Sequence, residues 1–248
     1  MSPVTVRVRP LECGWLESDA GGMVTGQTGR MRVPVPAFVV EHPHGTLVFD
    51  TGMHPEVMVS TVRLKETAPL FDISLTDEWL LPAQLASAEV DPSTVTHVAV
   101  SHLHFDHAGG LCGVPNARML VQHDEWEAAF NPGLVEFGVF NPDDFDIGLD
   151  RVELDGEHDV FGDGSVRLVP TPGHTHGHQS LLVEDRLLLV GDACYCRLAL
   201  DLDALPPFAA DADRQRKTFA WLREQESAGI ELVFSHDTAQ WELLPGTL

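Results

Sequence analysis

The run Ser101-His102-Leu103-His104-Phe105-Asp106-His107, followed at once by Ala108-Gly109-Gly110, places three imidazoles and one carboxylate within six positions. It comes directly after the apolar residues Val98-Ala99-Val100, so nitrogen and oxygen donors stand at the mouth of a buried strand. Such a cluster is suited to holding metal. If the chain stays extended from Ser101 to His104, strand alternation aims His102 and His104 to the same side, and the turn that follows brings Asp106 and His107 round to a second position. Two adjacent cations are therefore expected. A polar loop in a chain with thirteen histidines is the plainer alternative. The H-x-H-x-D-H pattern behind a β-run is far more demanding than a lone histidine and argues against it.

One loop cannot complete the coordination of two ions, so other strand ends should supply single ligands. Residues 165–170 read as a strand and run into Thr171-Pro172-Gly173-His174. Residues 187–190 read as a strand ending in Gly191-Asp192, and residues 230–234 as a strand ending in Ser235-His236-Asp237. The inventory becomes five histidines and two aspartates. That hard and borderline set suits two Zn²⁺ ions, with Fe, Mn or Co allowed by ligand type.

His102-x-His104-x-Asp106-His107, His174, Asp192 and His236 resemble, in order, the full metal-binding set of the metallo-β-lactamase superfamily. The turn Asp50-Thr51-Gly52 after Leu47-Val48-Phe49 resembles that superfamily's early Asp-Thr-Gly turn, and Asp50 would sit beside the ligands. Within the superfamily the chain is most similar to the N-acyl homoserine lactonases. Asp192-Ala193-Cys194-Tyr195, Val121-Gln122-His123-Asp124-Glu125-Trp126 and Ser235-His236-Asp237 carry that likeness. The resemblance implies His102, His104 and His174 on one metal, Asp106, His107 and His236 on the other, and Asp192 bridging the two, with a bridging hydroxide. His174 is chosen over its neighbours because it directly follows the Pro-Gly turn. His178 then serves as a hydrogen-bonded support and His176 is exposed. His42, His44, His54, His97, His123 and His158 show no ligand spacing.

The activity so implied is opening of a lactone ring, that of N-acyl homoserine lactones or similar compounds, and hence quorum quenching. The metals would supply hydroxide and polarise the carbonyl. Tyr195, the only tyrosine, would donate to the developing oxyanion. Asp106 would bind metal and pass a proton to the leaving alkoxide. A thioester, aryl-ester or phosphotriester hydrolase is the alternative, since the same nucleophile would attack those centres. Metallo-β-lactamases proper usually carry a cysteine where Asp192 stands here.

Composition narrows the partners. With 248 residues and 44% hydrophobic content, the chain can build one substantial core; a single metallo-hydrolase domain over residues 1–248 is expected. A net charge of −23 disfavours nucleic acid, which requires a basic footprint. A neutral lactone would be indifferent to that charge. Cys13, Cys112, Cys194 and Cys196, in a chain whose first residues lack an apolar signal core, point to free thiols and a cytoplasmic location. No run is long enough to span a membrane. A homodimer is allowed and not required.

The elements that must position these groups read as an α/β fold, an αββα sandwich of two mixed β-sheets flanked by helices. Strands are expected at 4–9, 37–41, 46–50, ahead of Ser101, at 118–122, 159–169, 179–184, 187–190 and 230–234. Helices are expected over 78–88, from Asp124, and over 212–227. Residues 14–36 read as a long glycine-bearing loop. Residues 130–158, with Phe130, Phe137, Phe140 and Phe145, and the stretch 55–77 with Phe71, read as irregular walls.

Overall fold

The structure, a computed structural model, describes residues 6–248. Strands β1 (Arg7–Asp19), β2 (Arg30–His42), β3 (Gly45–Phe49), β4 (Asp72–Ser74), β5 (His97–Ala99), β6 (Arg118–Gln122) and β7 (Arg151–Leu154) form one sheet in the order β4-β1-β2-β3-β5-β6-β7. Strands β8 (His158–Asp159), β9 (Val166–Pro170), β10 (Gln179–Val183), β11 (Leu187–Gly191) and β12 (Glu231–Phe234) form the second, in the order β12-β11-β10-β9-β8. Both sheets are mixed: β3, β5, β6 and β7 run parallel beside the antiparallel β1, β2 and β3, and β11 runs parallel to β12 beside antiparallel β10. The expected sandwich is present.

Strand alternation explains why the central strands read as unbroken apolar runs. In β3, Leu47 and Phe49 enter the core between the sheets, while Val48 faces the opposite layer. In β11, Leu187 and Leu189 likewise point inward, and Leu188 and Val190 outward. Each such strand is buried on both faces because helices cover the outer sides. Phe219 and Leu222 of the helix Ala212–Ser227 pack in the same cluster as Leu232 and Phe234 of β12, and Leu81 and Leu85 of the helix Leu81–Ser87 pack in the cluster that holds Val48.

Three expectations need correction. The segment 14–36 is not a long loop: β1 continues to Asp19 and β2 starts at Arg30, leaving only a short helical turn and a tight connection between them. Its regular alternation is masked because the register shifts between Glu12 and Trp15, where Gly14 adopts φ 119°, and because Pro34 and Pro36 lie opposite Trp15 and Glu12 beside that bulge, where a missing N–H is tolerated. The strand expected at 159–169 is broken after Asp159, whose carboxylate accepts the N–H groups of Phe161, Gly162 and Gly164 and so folds a turn. The helix expected from 78 to 88 is a turn at Asp77–Trp79 and a separate helix Leu81–Ser87 restarted by Pro82 at its first turn. Residues 4 and 5 of the first expected strand lie outside the described residues. Residues 130–158 contain two short helices, Pro132–Phe137 and Pro142–Phe145, and β7.

Candidate metal centre

The seven residues singled out by spacing converge at one edge of the sandwich. β5 ends at Ala99, and the chain after it carries His102 and His104 before turning into the helix Phe105–Ala108, which bears Asp106 and His107. β9, β11 and β12 deliver His174, Asp192 and His236 from the other sheet. Ligand atoms of His102, His104 and His174 lie within 4.8 Å of one another, as do those of Asp106, His107 and His236, and those of His102, His107 and Asp192.

The distances describe two pockets joined by a single carboxylate. His174 Nε2 is 3.2 Å from His102 Nε2 and 3.1 Å from His104 Nδ1. Asp106 Oδ2 is 3.6 Å from both His107 Nε2 and His236 Nε2. Asp192 faces both groups: its Oδ2 is 3.5 Å from His174 Nε2 and 3.8 Å from His102 Nε2, while its Oδ1 is 3.3 Å from His107 Nε2 and 3.2 Å from His236 Nε2. Donors about 2.0–2.2 Å from one tetrahedral ion stand roughly 3.3–3.6 Å apart, and the spacings here, 3.1–3.8 Å, lie close to that range.

Electrostatics divides the two pockets. Burial holds the imidazoles of His102 and His174 well below their ordinary pKa and that of His104 at about 4, so all three are neutral, with a lone pair free for a cation. At the other pocket burial also opposes charge on His107 and His236, but Asp192 and Asp106 outweigh it and raise both. That pocket calls for positive charge. His107 Nε2 is buried and makes no aligned hydrogen bond despite its closeness to Asp192.

Three of the seven, His107, Asp192 and His236, are held from behind. Asp50 sits in the left-handed region at φ 59°, which aspartate tolerates; its Oδ2 is 2.9 Å from His107 Nδ1, and its Oδ1 accepts the Ser101 N–H at 2.6 Å. Thr51 clamps the same helix through its N–H and hydroxyl, both donated to the His107 carbonyl. A Cβ on Gly110 would overlap the Thr51 carbonyl, so only glycine lets the two turns meet. His178, fully buried, accepts the Asp192 N–H on Nε2 at 3.0 Å and therefore carries its proton on Nδ1, which donates to Thr171 Oγ1 at 2.9 Å. Burial lowers its pKa to about 3, which keeps it neutral in that tautomer. His236 Nδ1 donates to the Pro34 carbonyl at 2.8 Å, so the β1–β2 hairpin does border the site.

Tyr195 is half-buried, with its ring 5.4 Å from those of both His174 and His236, one from each pocket. Burial, then Asp192 and Asp106, push its phenol well above the ordinary pKa, so it keeps its proton and remains a donor. Phe140 lies 5.2 Å from His104, while Phe130 and Phe137 are exposed and Phe145 is buried against Trp126. Phe71 packs on Phe105.

Other groups sort as the spacing suggested. His176 is exposed, and all four cysteines are free. His42, His44 and Asp163 form a further close group. There His42 Nδ1 accepts the His44 N–H and Nε2 donates to Asp163 at 3.0 Å, which uses both nitrogens and leaves no lone pair for a cation. Spacing did not reveal Ser235, which donates to Asp192 Oδ1 at 2.6 Å, or Ser101, Thr171 and Pro34. The only sign of Ser235 was its place in the Ser235-His236-Asp237 segment that carries the family likeness, and that of Ser101 its adjacency to His102.

Residues 30–236 match the metallo-beta-lactamase superfamily. The N-acyl homoserine lactonase AttM of Azorhizobium caulinodans is 33% identical over 251 residues, with 95% of each chain covered. AttM of Agrobacterium fabrum is 34% identical over the same length and coverage. Among solved structures, that of a quorum-quenching N-acyl homoserine lactone hydrolase superposes with a TM-score of 0.83 at 26% identity, covering 99% of this chain and 98% of that one. Among the described residues, no helix is long and apolar enough to cross a membrane.

Proposed function

This chain belongs to the metallo-beta-lactamase superfamily, and on that premise we propose that it is a dinuclear metal-dependent lactonase that opens the ring of N-acyl homoserine lactones or similar lactones. The observation that carries the reading is Asp192, whose two oxygens are divided between the two pockets. His102, His104 and His174 would hold one divalent ion, Asp106, His107 and His236 the other, with Zn²⁺ the metal best matched by this donor set. The fit rests on the buried, unpartnered His107 Nε2 and the three neutral imidazoles opposite it. Bound there, the ions supply a hydroxide nucleophile near neutral pH and polarise the ester carbonyl.

The protein's own groups divide the remaining tasks. Tyr195, protonated and placed between the pockets, donates to the carbonyl oxygen as it gains charge. Asp106 presents Oδ2 to the two histidines, leaving its other oxygen to take a proton and return it to the alkoxide released when the ring opens. Asp50 and His178 fix the orientation of His107 and Asp192. The same reading makes residues 1–248 one hydrolase domain working in the cytoplasm on a small neutral substrate.

Purified protein should contain close to two transition-metal ions per chain. His236→Ala or His107→Ala should empty the second pocket more than the first, as read by elemental analysis. One ion in fully loaded wild type would sink the dinuclear assignment. To test the substrate, the metal-loaded protein is given a panel of acyl homoserine lactones, a thioester and a phosphotriester. Ring opening is expected to dominate by kcat/KM; faster turnover of thioester or phosphotriester would replace this reading with the ester-hydrolase alternative.

A further inference from the structure

The carboxylate of Glu125 has no place in the chemistry above, yet it lies at the junction of the loops that carry the first ligand set. Glu125 is in the first turn of the helix His123–Ala128, directly after β6, and is wholly buried. Oε1 accepts the N–H of Leu103 at 3.0 Å, and Oε2 accepts the N–H of Gly177 at 3.1 Å. Leu103 is the residue between His102 and His104. Gly177 lies between His174 and His178, in the loop that joins β9 to β10 of the other sheet. The fit is close: a Cβ on Gly177 would overlap the backbone nitrogen of Glu125.

We propose that Glu125 is a positioning residue for the first metal pocket, its two carboxylate oxygens tying the His102–His104 loop to the His174–His178 loop across the two sheets. A buried carboxylate is costly unless both oxygens are satisfied. Here backbone donors from two separate loops satisfy them, so the group stays buried only while those loops keep their relative position. His174 Nε2 approaches His102 Nε2 and His104 Nδ1 within 3.1–3.2 Å through that same alignment. The second pocket is held by other means, through Asp50 on His107 and Pro34 on His236. The influence of Glu125 is therefore selective for one pocket. This proposal rests on the dinuclear reading.

The test separates the pockets. Glu125→Gln keeps the shape but turns an NH₂ group toward one of the two N–H donors; Glu125→Asp keeps both acceptors and draws them back by one methylene. Each is made in two backgrounds, His236→Ala, which leaves the first pocket intact, and His104→Ala, which leaves the second. Zn²⁺ affinity is measured by competition with a chelator, and thermal unfolding of the metal-free proteins is followed alongside. In the His236→Ala background Glu125→Gln should weaken Zn²⁺ about ten- to a hundredfold, with a smaller loss for Glu125→Asp. In the His104→Ala background neither change should alter affinity by more than about twofold. Equal losses in both backgrounds, or none in either, would overturn the proposal and leave Glu125 a residue of the fold alone. If Glu125→Gln fails to fold, Glu125→Asp decides the matter by the same comparison. Wild type that binds fewer than two ions would remove the dinuclear reading itself, and the clamp with it.

Discussion

Asp106→Asn is expected to lower kcat/KM for lactone opening by on the order of a hundred- to ten-thousandfold, and added metal should not restore the rate. The amide keeps the shape of the carboxylate but loses its charge and its capacity to take up a proton. In the structure Oδ2 faces His107 and His236 at 3.6 Å each, so the substitution also weakens the second pocket. The two effects are separated by assaying with excess Zn²⁺ and measuring metal content on the same sample. Full rate on metal addition would show that Asp106 is a ligand only, and the proton reaching the alkoxide would then come from solvent.

Tyr195→Phe should leave metal content unchanged while lowering kcat/KM roughly ten- to a thousandfold. The proposed ligand sets do not include the phenol, whose ring lies 5.4 Å from a histidine of each pocket. Removing one hydroxyl would delete the donor proposed for the developing charge and spare the packing of the ring. A loss confined to KM would mean that the hydroxyl binds ground state and transition state alike. An unchanged kcat/KM would return Tyr195 to a packing role.

The seven residues that converge at the sheet edge were legible in the sequence because their chemistry is local: four of the seven fall in one short run, and His174, Asp192 and His236 each follow an apolar run at a turn. The central strands were legible because both of their faces are buried, which yields unbroken runs such as Leu187-Leu188-Leu189-Val190. β1 and β2 were obscured where the physical rule changes. The Gly14 bulge shifts the alternation by one position, and Pro34 and Pro36 imitate loop residues although they lie inside a strand. Glu125 was hidden for a different reason. An acidic residue in the first turn of a helix ordinarily faces water and answers the helix dipole, and only the approach of two distant loops makes this one internal. Ser235 and Pro34 act on Asp192 and His236 through contacts that no spacing records.

The seven converging residues come from both sheets, with Asp192 from one and Asp106 from the other facing a common pair of histidines. Anything bound there closes a cross-link between the two halves of the sandwich, and an unfolded chain could not offer the same grip. Occupancy and conformational stability are then linked through mass action: free ion at a hundred times its Kd adds about 2.7 kcal/mol to the unfolding free energy. Against the 5–15 kcal/mol typical of a domain, on that general scale, this is a large fraction. A strong chelator would thus lower the unfolding temperature without unfolding the chain outright. In a metal-starved cell the protein would become easier prey for proteases as it falls silent, so that metal supply governs its abundance as well as its turnover.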